Sequence, residues 1–287
     1  MTQVPKPRLP MNKIIKPPAN AFTTSPKWSR EQTLLAFQFY CESPFGQLHG
    51  RNRKIIELAN LIGRTPDALA MKCVNIASLD PKIRESGRTG LSNASALDRE
   101  IWNEFHANWD GLLEECEALR SYLLVERGED VALQVNDAAA IEPDFFGETR
   151  MAMTKQRVKQ DFFRRAVLSG YGHKCCISSV SDERFLVASH IVPWSEDPSI
   201  RLHPGNGLCL SVIHDKAFDN HLFSLTDDYR IVLSAQLKST KDGFLQKVFR
   251  SLEDTSISLP DKFVPELDFI TRHRNRMNKG EILESFQ

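Results

Sequence analysis

The sequence predicts an α+β fold in two parts: a helical N-terminal region and a C-terminal region built on two strands and a helix. Two observations predict it. From Trp28 to Leu79, and again from Ala96 to Leu124, apolar residues recur at helical spacing. From Phe185 to Asp219 a short apolar run, a polar loop, a second apolar run and a short helical segment follow one another. A chain of 287 residues with 41% hydrophobic content is long enough to bury a core and suggests about two small domains.

Residues 1–26 read as a disordered basic tail. They hold Pro5, Pro7, Pro10, Pro17 and Pro18 with Lys6, Arg8, Lys13 and Lys16, and no acid precedes Glu31. Such a composition buries too little apolar surface to offset ordering. A basic arm that follows phosphates is the alternative. Residues 27–125 read as a helical domain that binds DNA or a partner. Ser29 caps its first helix, with Glu31 and Gln32 in the first turn and Leu34, Leu35, Phe37 and Tyr40 as the apolar face. The second carries Ile55, Ile56, Leu58, Ala59 and Ile62 and stops at Gly63. Thr65-Pro66 opens the third, which runs through Leu69, Met71, Cys73 and Ile76.

Three short helices with a tight Gly63-Arg64-Thr65-Pro66 turn before the last suggest a helix-turn-helix. The pattern of Trp28-Ser29 with Glu31, then Ile62-Gly63-Arg64-Thr65, resembles the Myb/SANT class. That resemblance implies a third helix entering the major groove. Lys72 is its one clear cation, and Arg64 stands just before it; both are candidate DNA contacts. A helix-turn-helix that docks protein fits the same pattern.

Leu97, Ile101, Phe105, Trp109, Leu112, Cys116, Leu119 and Leu123 form one stripe, read as a single amphipathic helix from about 96 to 124. Gly128, Pro143 and Gly147 break the pattern and mark a linker over residues 126–150. Residues 151–287 form the second domain. A helix from about Thr154 to Leu168 presents Arg157, Lys159, Arg164 and Arg165 beside Phe162, Phe163 and Val167. Strands follow at Phe185–His190 and Leu208–Leu210, separated by a polar loop, and Ser211 is placed to cap the next helix. Thr226-Asp227-Asp228 marks a hairpin, and a last helix covers about Pro265 to Met277.

Charge and cysteine usage narrow the class. Formal net charge is zero, so nucleic-acid contact must come from local patches. Six cysteines without regular spacing are too sparse for a disulfide scaffold in a chain this long and suit a reducing compartment. No apolar signal core or membrane-length run is present. The expectation is a cytoplasmic protein with no membrane partner.

The chemistry points to His190 at a strand end, Asn206 in a Pro-Gly-Asn-Gly turn, and His214 on a short helix. Strand, loop, strand and helix is the layout of the ββα-metal nuclease motif. Leu186-Val187-Ala188-Ser189-His190-Ile191-Val192-Pro193-Trp194, Asn206-Gly207-Leu208-Cys209-Leu210-Ser211 and His214-Asp215-Lys216-Ala217-Phe218-Asp219 resemble HNH endonucleases of a bacterial restriction or defence subgroup. So does the lead-in Arg164-Arg165-Ala166-Val167-Leu168, Tyr171 and Cys175-Cys176-Ile177-Ser178.

The resemblance implies hydrolysis of DNA phosphodiester bonds, with 5′-phosphate and 3′-hydroxyl products. His190 would be the general base, since a neutral imidazole suits proton removal from water near neutral pH. Asn206 would orient it. His214 would hold one divalent metal ion, Mg²⁺ first, with Mn²⁺ or Ni²⁺ as alternatives. One departure stands out. Many HNH sites place Asp or His just before the base, and here that residue is Ser189. Asp219 is the candidate second metal ligand, with bracing of the following hairpin as its bland alternative; Asp215 is expected to point elsewhere, because adjacent helical residues diverge. The cysteines lack a second pair and do not suggest structural zinc.

Arg157, Arg164, Arg165 and Arg201 are candidate phosphate contacts in a DNA channel, with solvated surface cations as the bland alternative. Two other readings stay open: an effector subunit gated by a partner, such as another defence-system subunit, and a degenerate HNH fold that only binds. Double-strand cutting would call for a homodimer, because each site cuts one strand.

Overall fold

The computed structural model describes residues 17–18, 21–22, 26–85, 93–128 and 147–284, with the side chains of 147–154 and 280–284 excepted. Most of the expected tail and linker lies outside the described residues. Helix α1 (Arg30–Glu42) starts with a capping box: the Ser29 hydroxyl accepts from Gln32 N, and the Gln32 side chain accepts from Ser29 N. Every residue from Gln32 to Cys41 is buried, so α1 is the central rod of the N-terminal half. Helix α2 (Arg53–Leu61) ends before Gly63, whose φ of +70° is the left-handed conformation glycine adopts at no steric cost. Helix α3 (Pro66–Ala77) is capped by Thr65 Oγ1, which accepts from Ala68 N at 3.2 Å. A short α4 (Pro81–Glu85) follows.

The single helix expected from 96 to 124 is two, α5 (Ala96–Ala107) and α6 (Trp109–Glu126). Asn108 leaves the helical region at φ −155°, ψ 75°, and its side chain then caps α6 by accepting from Gly111 N at 2.9 Å. Both helices pack on α1, so the apolar stripe continues through the break and periodicity alone conceals it.

Helix α7 (Gly147–Gly170) extends beyond the expected bounds and packs against both α1 and a two-stranded antiparallel sheet. That sheet is β1 (Leu186–His190) with β2 (Gly207–Ser211), in register Leu186↔Ser211 through His190↔Gly207. Helix α8 (Val212–Asp219) follows directly and crosses both strands. The expected hairpin is β3 (Phe223–Leu225) with β4 (Ile231–Leu233). Helices α9 (Ala235–Lys238), α10 (Gly243–Phe249) and α11 (Leu267–Glu284) complete the chain, and α11 packs on β3. The fold is α+β, with a helical N-terminal region and a C-terminal strand–strand–helix unit.

One hydrophobic core runs through both regions. Phe37, Phe105 and Trp109 meet in the N-terminal half, and Trp109 continues onto Phe162 of α7. The segment before α11 adds a polar weld. Lys262 is buried and its ammonium donates to the carbonyls of Tyr40, Cys41 and Ser43 at the end of α1. Asp80 accepts from Phe263 N at 3.2 Å and from the Tyr40 hydroxyl at 3.4 Å.

Gly207 lets β2 lie close against α7. A Cβ there would stand 2.3 Å from Val167 Cγ2 and 2.9 Å from Phe163 Cζ. Gly207→Ala is therefore expected to destabilise the fold by about 2 kcal/mol through overpacking, read as a lowered midpoint of thermal unfolding.

Candidate active site

His190 ends β1, and three contacts fix its ring. It stacks on Phe163 of α7 with centroids 3.8 Å apart and planes 10° apart. Trp194 meets it edge-on at 5.5 Å. Its Nε2 lies 3.0 Å from the Arg201 carbonyl oxygen. A carbonyl can only accept, so Nε2 carries the proton and neutral His190 keeps its lone pair on Nδ1. Burial pushes the imidazole below its ordinary pKa, with the carbonyl contact opposing in part. The side chain is thus a neutral base at pH 7 with one defined accepting atom.

Asn206 is fully buried and clamps the turn after His190. Its Oδ1 accepts from Val192 N at 2.8 Å, its Nδ2 donates to Val192 O at 3.1 Å, and its own carbonyl accepts from Ile191 N at 2.9 Å. It therefore orders the main chain following His190 rather than bonding the imidazole. The contact that sets the tautomer comes from the Arg201 main chain, which no sequence pattern marks.

His214 is buried on α8. Its Nδ1 lies 2.7 Å from Ser211 Oγ and 3.7 Å from Cys175 Sγ. Ser211 holds the N-cap position, yet its hydroxyl makes no capping bond and serves His214 instead. Burial works to raise the Cys175 thiol, but hydrogen bonds from His214 and Ser178 and the Ile177 backbone outweigh it and bring it down to about 6. With Nδ1 engaged inward, Nε2 is the atom of His214 left to bind a metal.

Asp215 follows His214 on α8. It is half-buried and faces Ser189 across β1. Ser189 is 2% exposed, and its hydroxyl makes no hydrogen bond of regular geometry. Burial raises the Asp215 carboxyl above its ordinary pKa, while the Ser189 contact and Lys216 work the other way. Asp219, exposed at the end of α8, is raised by desolvation and then by repulsion from Asp215. Neither carboxylate has an ion pair among the described residues. No three His, Cys, Asp or Glu side chains converge into a ready metal cage among those residues. The donors on offer are one imidazole nitrogen, two mutually repelling carboxylates and an orphaned buried hydroxyl. That set fits a hard cation that keeps most of its shell as water and phosphate oxygen.

Most of the candidate DNA-contacting cations have structural partners. Lys72 is buried, its ammonium 2.8 Å from Asp98 and 4.8 Å above the Trp28 ring, which differs from the groove-facing position expected of it. Arg64 covers the same ring at 4.8 Å and donates to Gln32 and the Lys27 carbonyl. Arg164 donates to the carbonyls of Leu186 at 2.9 Å and Glu183 at 3.2 Å, tying α7 to β1. Arg165 pairs with Glu42 of α1 at 3.0 Å. Arg201 pairs with Asp110 of α6. Arg157, half-exposed on α7, has no partner among the described residues.

The sequence does not single out Phe163 as the floor under the His190 ring, Ser211 as the partner of His214, or Asp110 as the partner of Arg201. In the sequence Phe163 reads only as an apolar helix residue and Ser211 only as a cap. Residues 175–226 match the family model described as HNH endonuclease. The match encloses β1, β2, α8 and β3, and with them His190, Asn206 and His214. No curated protein matches the chain.

Proposed function

Taking residues 175–226 as an HNH endonuclease domain, we propose that the protein is a metal-dependent endonuclease that hydrolyses DNA phosphodiester bonds with His190 as its general base. The observation that carries this reading is the fixed tautomer of His190 inside the matched segment. Nδ1 accepts a proton from water as the water oxygen attacks phosphorus. The bond from phosphorus to the 3′-oxygen breaks, and that oxygen takes a proton from solvent water, leaving a 5′-phosphate and a 3′-hydroxyl. Phe163 and the Arg201 carbonyl keep the ring in one pose through the step, and Asn206 keeps the turn behind it in place.

His214, through Nε2, and Asp219 would hold the divalent cation, with Asp215 and Ser189 close by. When bound, Mg²⁺ (or Mn²⁺ or Ni²⁺) supplies positive charge for the crowded phosphorus and the departing oxygen. Of the candidate phosphate contacts, Arg157 would meet a DNA phosphate without giving up a partner among the described residues. A defence setting follows the family resemblance alone.

A second reading concerns the N-terminal helices. The exposed residues of α3 include Asp67 and Met71, while Lys72 is turned inward. That surface suits docking of a partner better than base reading in a major groove. The gated effector reading rests on this observation.

The test is incubation of supercoiled plasmid with Mg²⁺, Mn²⁺, Ni²⁺ or EDTA. Nicked or linear product with metal and none with EDTA is expected. Cutting that persists in EDTA, or a folded protein that cuts no DNA with any of the metals, would overturn the reading as stated.

A further inference from the structure

The carbonyl that fixes the tautomer of His190 belongs to Arg201, in the loop between β1 and β2. A loop carbonyl is placed only as well as its loop. At one end of this loop, Arg272 and Arg276 of α11 pair with Glu196 and Asp197. At the other end, the Arg201 guanidinium reaches out of the C-terminal unit to Asp110 in the first turn of α6. Asp110 also lies 3.2 Å from Lys159 of α7. The Arg201 Nε is buried without a partner, so Asp110 is the one anion on this guanidinium among the described residues. The guanidinium further lies 5.2 Å over Trp194, whose ring abuts His190.

Two paths thus run from Asp110 to the base, one through the Arg201 main chain and one through Trp194. We infer that Asp110, on the N-terminal helices, is a positioning residue for His190: by anchoring Arg201 it holds the carbonyl that keeps the proton on Nε2 and the lone pair on Nδ1. This rests on the reading of His190 as the base. A partly buried ion pair depends on both of its partners. Removing the carboxylate leaves a guanidinium with no counterion in a half-buried place. It turns towards water, the loop follows, and the imidazole is freed to exchange tautomers. The N-terminal region then becomes a condition of catalysis, and whatever binds it can act on the base.

The test uses the full chain labelled with ¹⁵N at histidine, without DNA or metal. The wild type is expected to show His190 as a single tautomer, protonated at Nε2. In Asp110→Asn the two ring nitrogens should move towards an average, and the cleavage rate constant should fall about tenfold with KM changed less than about twofold. Arg201→Gln removes the other half of the pair and should give the same loss of tautomer if Asp110→Asn fails to fold. Glu114→Gln is the control: Glu114 pairs with the same Lys159 at 3.0 Å but not with Arg201, and it should behave as wild type.

A single tautomer and an unchanged rate in Asp110→Asn would overturn the inference. So would an equal effect from Glu114→Gln. A tautomer change in Asp110→Asn with a wild type that cuts no DNA supports this inference and sinks the nuclease reading. Cleavage that requires His190, with the tautomer unaltered in Asp110→Asn, does the reverse.

Discussion

His190→Ala is expected to lower the rate of metal-dependent DNA cleavage about 10³-fold while the protein stays folded. The side chain is a partly buried surface of the core, stacked on Phe163, so its loss should cost only about 1 kcal/mol of stability. The rate effect is larger because proton removal from water would lose its acceptor. His190→Gln separates the two roles. Glutamine can still donate to the Arg201 carbonyl, which would support the loop, but it is no base at neutral pH. It should therefore match alanine in rate and wild type in stability. A glutamine variant that cuts like wild type would mean that the imidazole serves the fold and not the chemistry. Single-turnover cleavage with thermal unfolding of the same samples decides between these outcomes.

Lys262→Met is expected to lower stability by about 3 kcal/mol above pH 10.5, and by less at pH 7. Methionine fills nearly the same volume, so the loss isolates the polar part. The Ser43 carbonyl would have no other partner among the described bonds, whereas Cys41 O keeps Ser169 Oγ at 2.9 Å. The pH dependence has a definite sign. Burial pushes Lys262 down to about 8 from its ordinary 10.5, with Cys41 and Asp80 opposing. Between those values the unfolded chain binds more protons than the folded one, so this residue's contribution increases as pH rises. It is complete above 10.5 and is lost as pH falls through 8. The wild type should accordingly gain stability relative to Lys262→Met between pH 8 and pH 10.5. Parallel denaturant unfolding of the two proteins across that window reads the slope, and a constant difference would contradict the shifted lysine.

What the sequence made legible was local. The Ser29 and Gln32 caps, the glycine stop at Gly63 and the Thr65-Pro66 start each sit within a few residues of what they act on, and the helices begin and end there. The order strand, loop, strand, helix placed His190 at the end of β1 and His214 on α8 for the same reason. The Asn108 break was hidden because both α5 and α6 face α1, and a stripe does not record a kink whose two sides share a partner. Side-chain roles set at a distance were out of reach. Lys72 and Asp98 are 26 positions apart, Arg201 and Asp110 are 91, and Lys262 and Tyr40 are 222. A cation that looks free in the sequence is bound by an acid or a carbonyl that only the fold brings near. Asp215 shows the limit of a helical argument. It does diverge from His214, but α8 packs across both strands, so the face it diverges to is also occupied, by Ser189.

The pH dependence of the cleavage rate bears hardest on His190 as the proton acceptor. With saturating metal and DNA, the single-turnover rate of the wild type should rise as His190 loses its proton, reach half its maximum below pH 6.5, and stay level to pH 8. The rising limb should be missing from the residual cutting of His190→Ala. A rate still climbing through pH 8, or the same limb in the alanine variant, would contradict a neutral His190 acting through Nδ1.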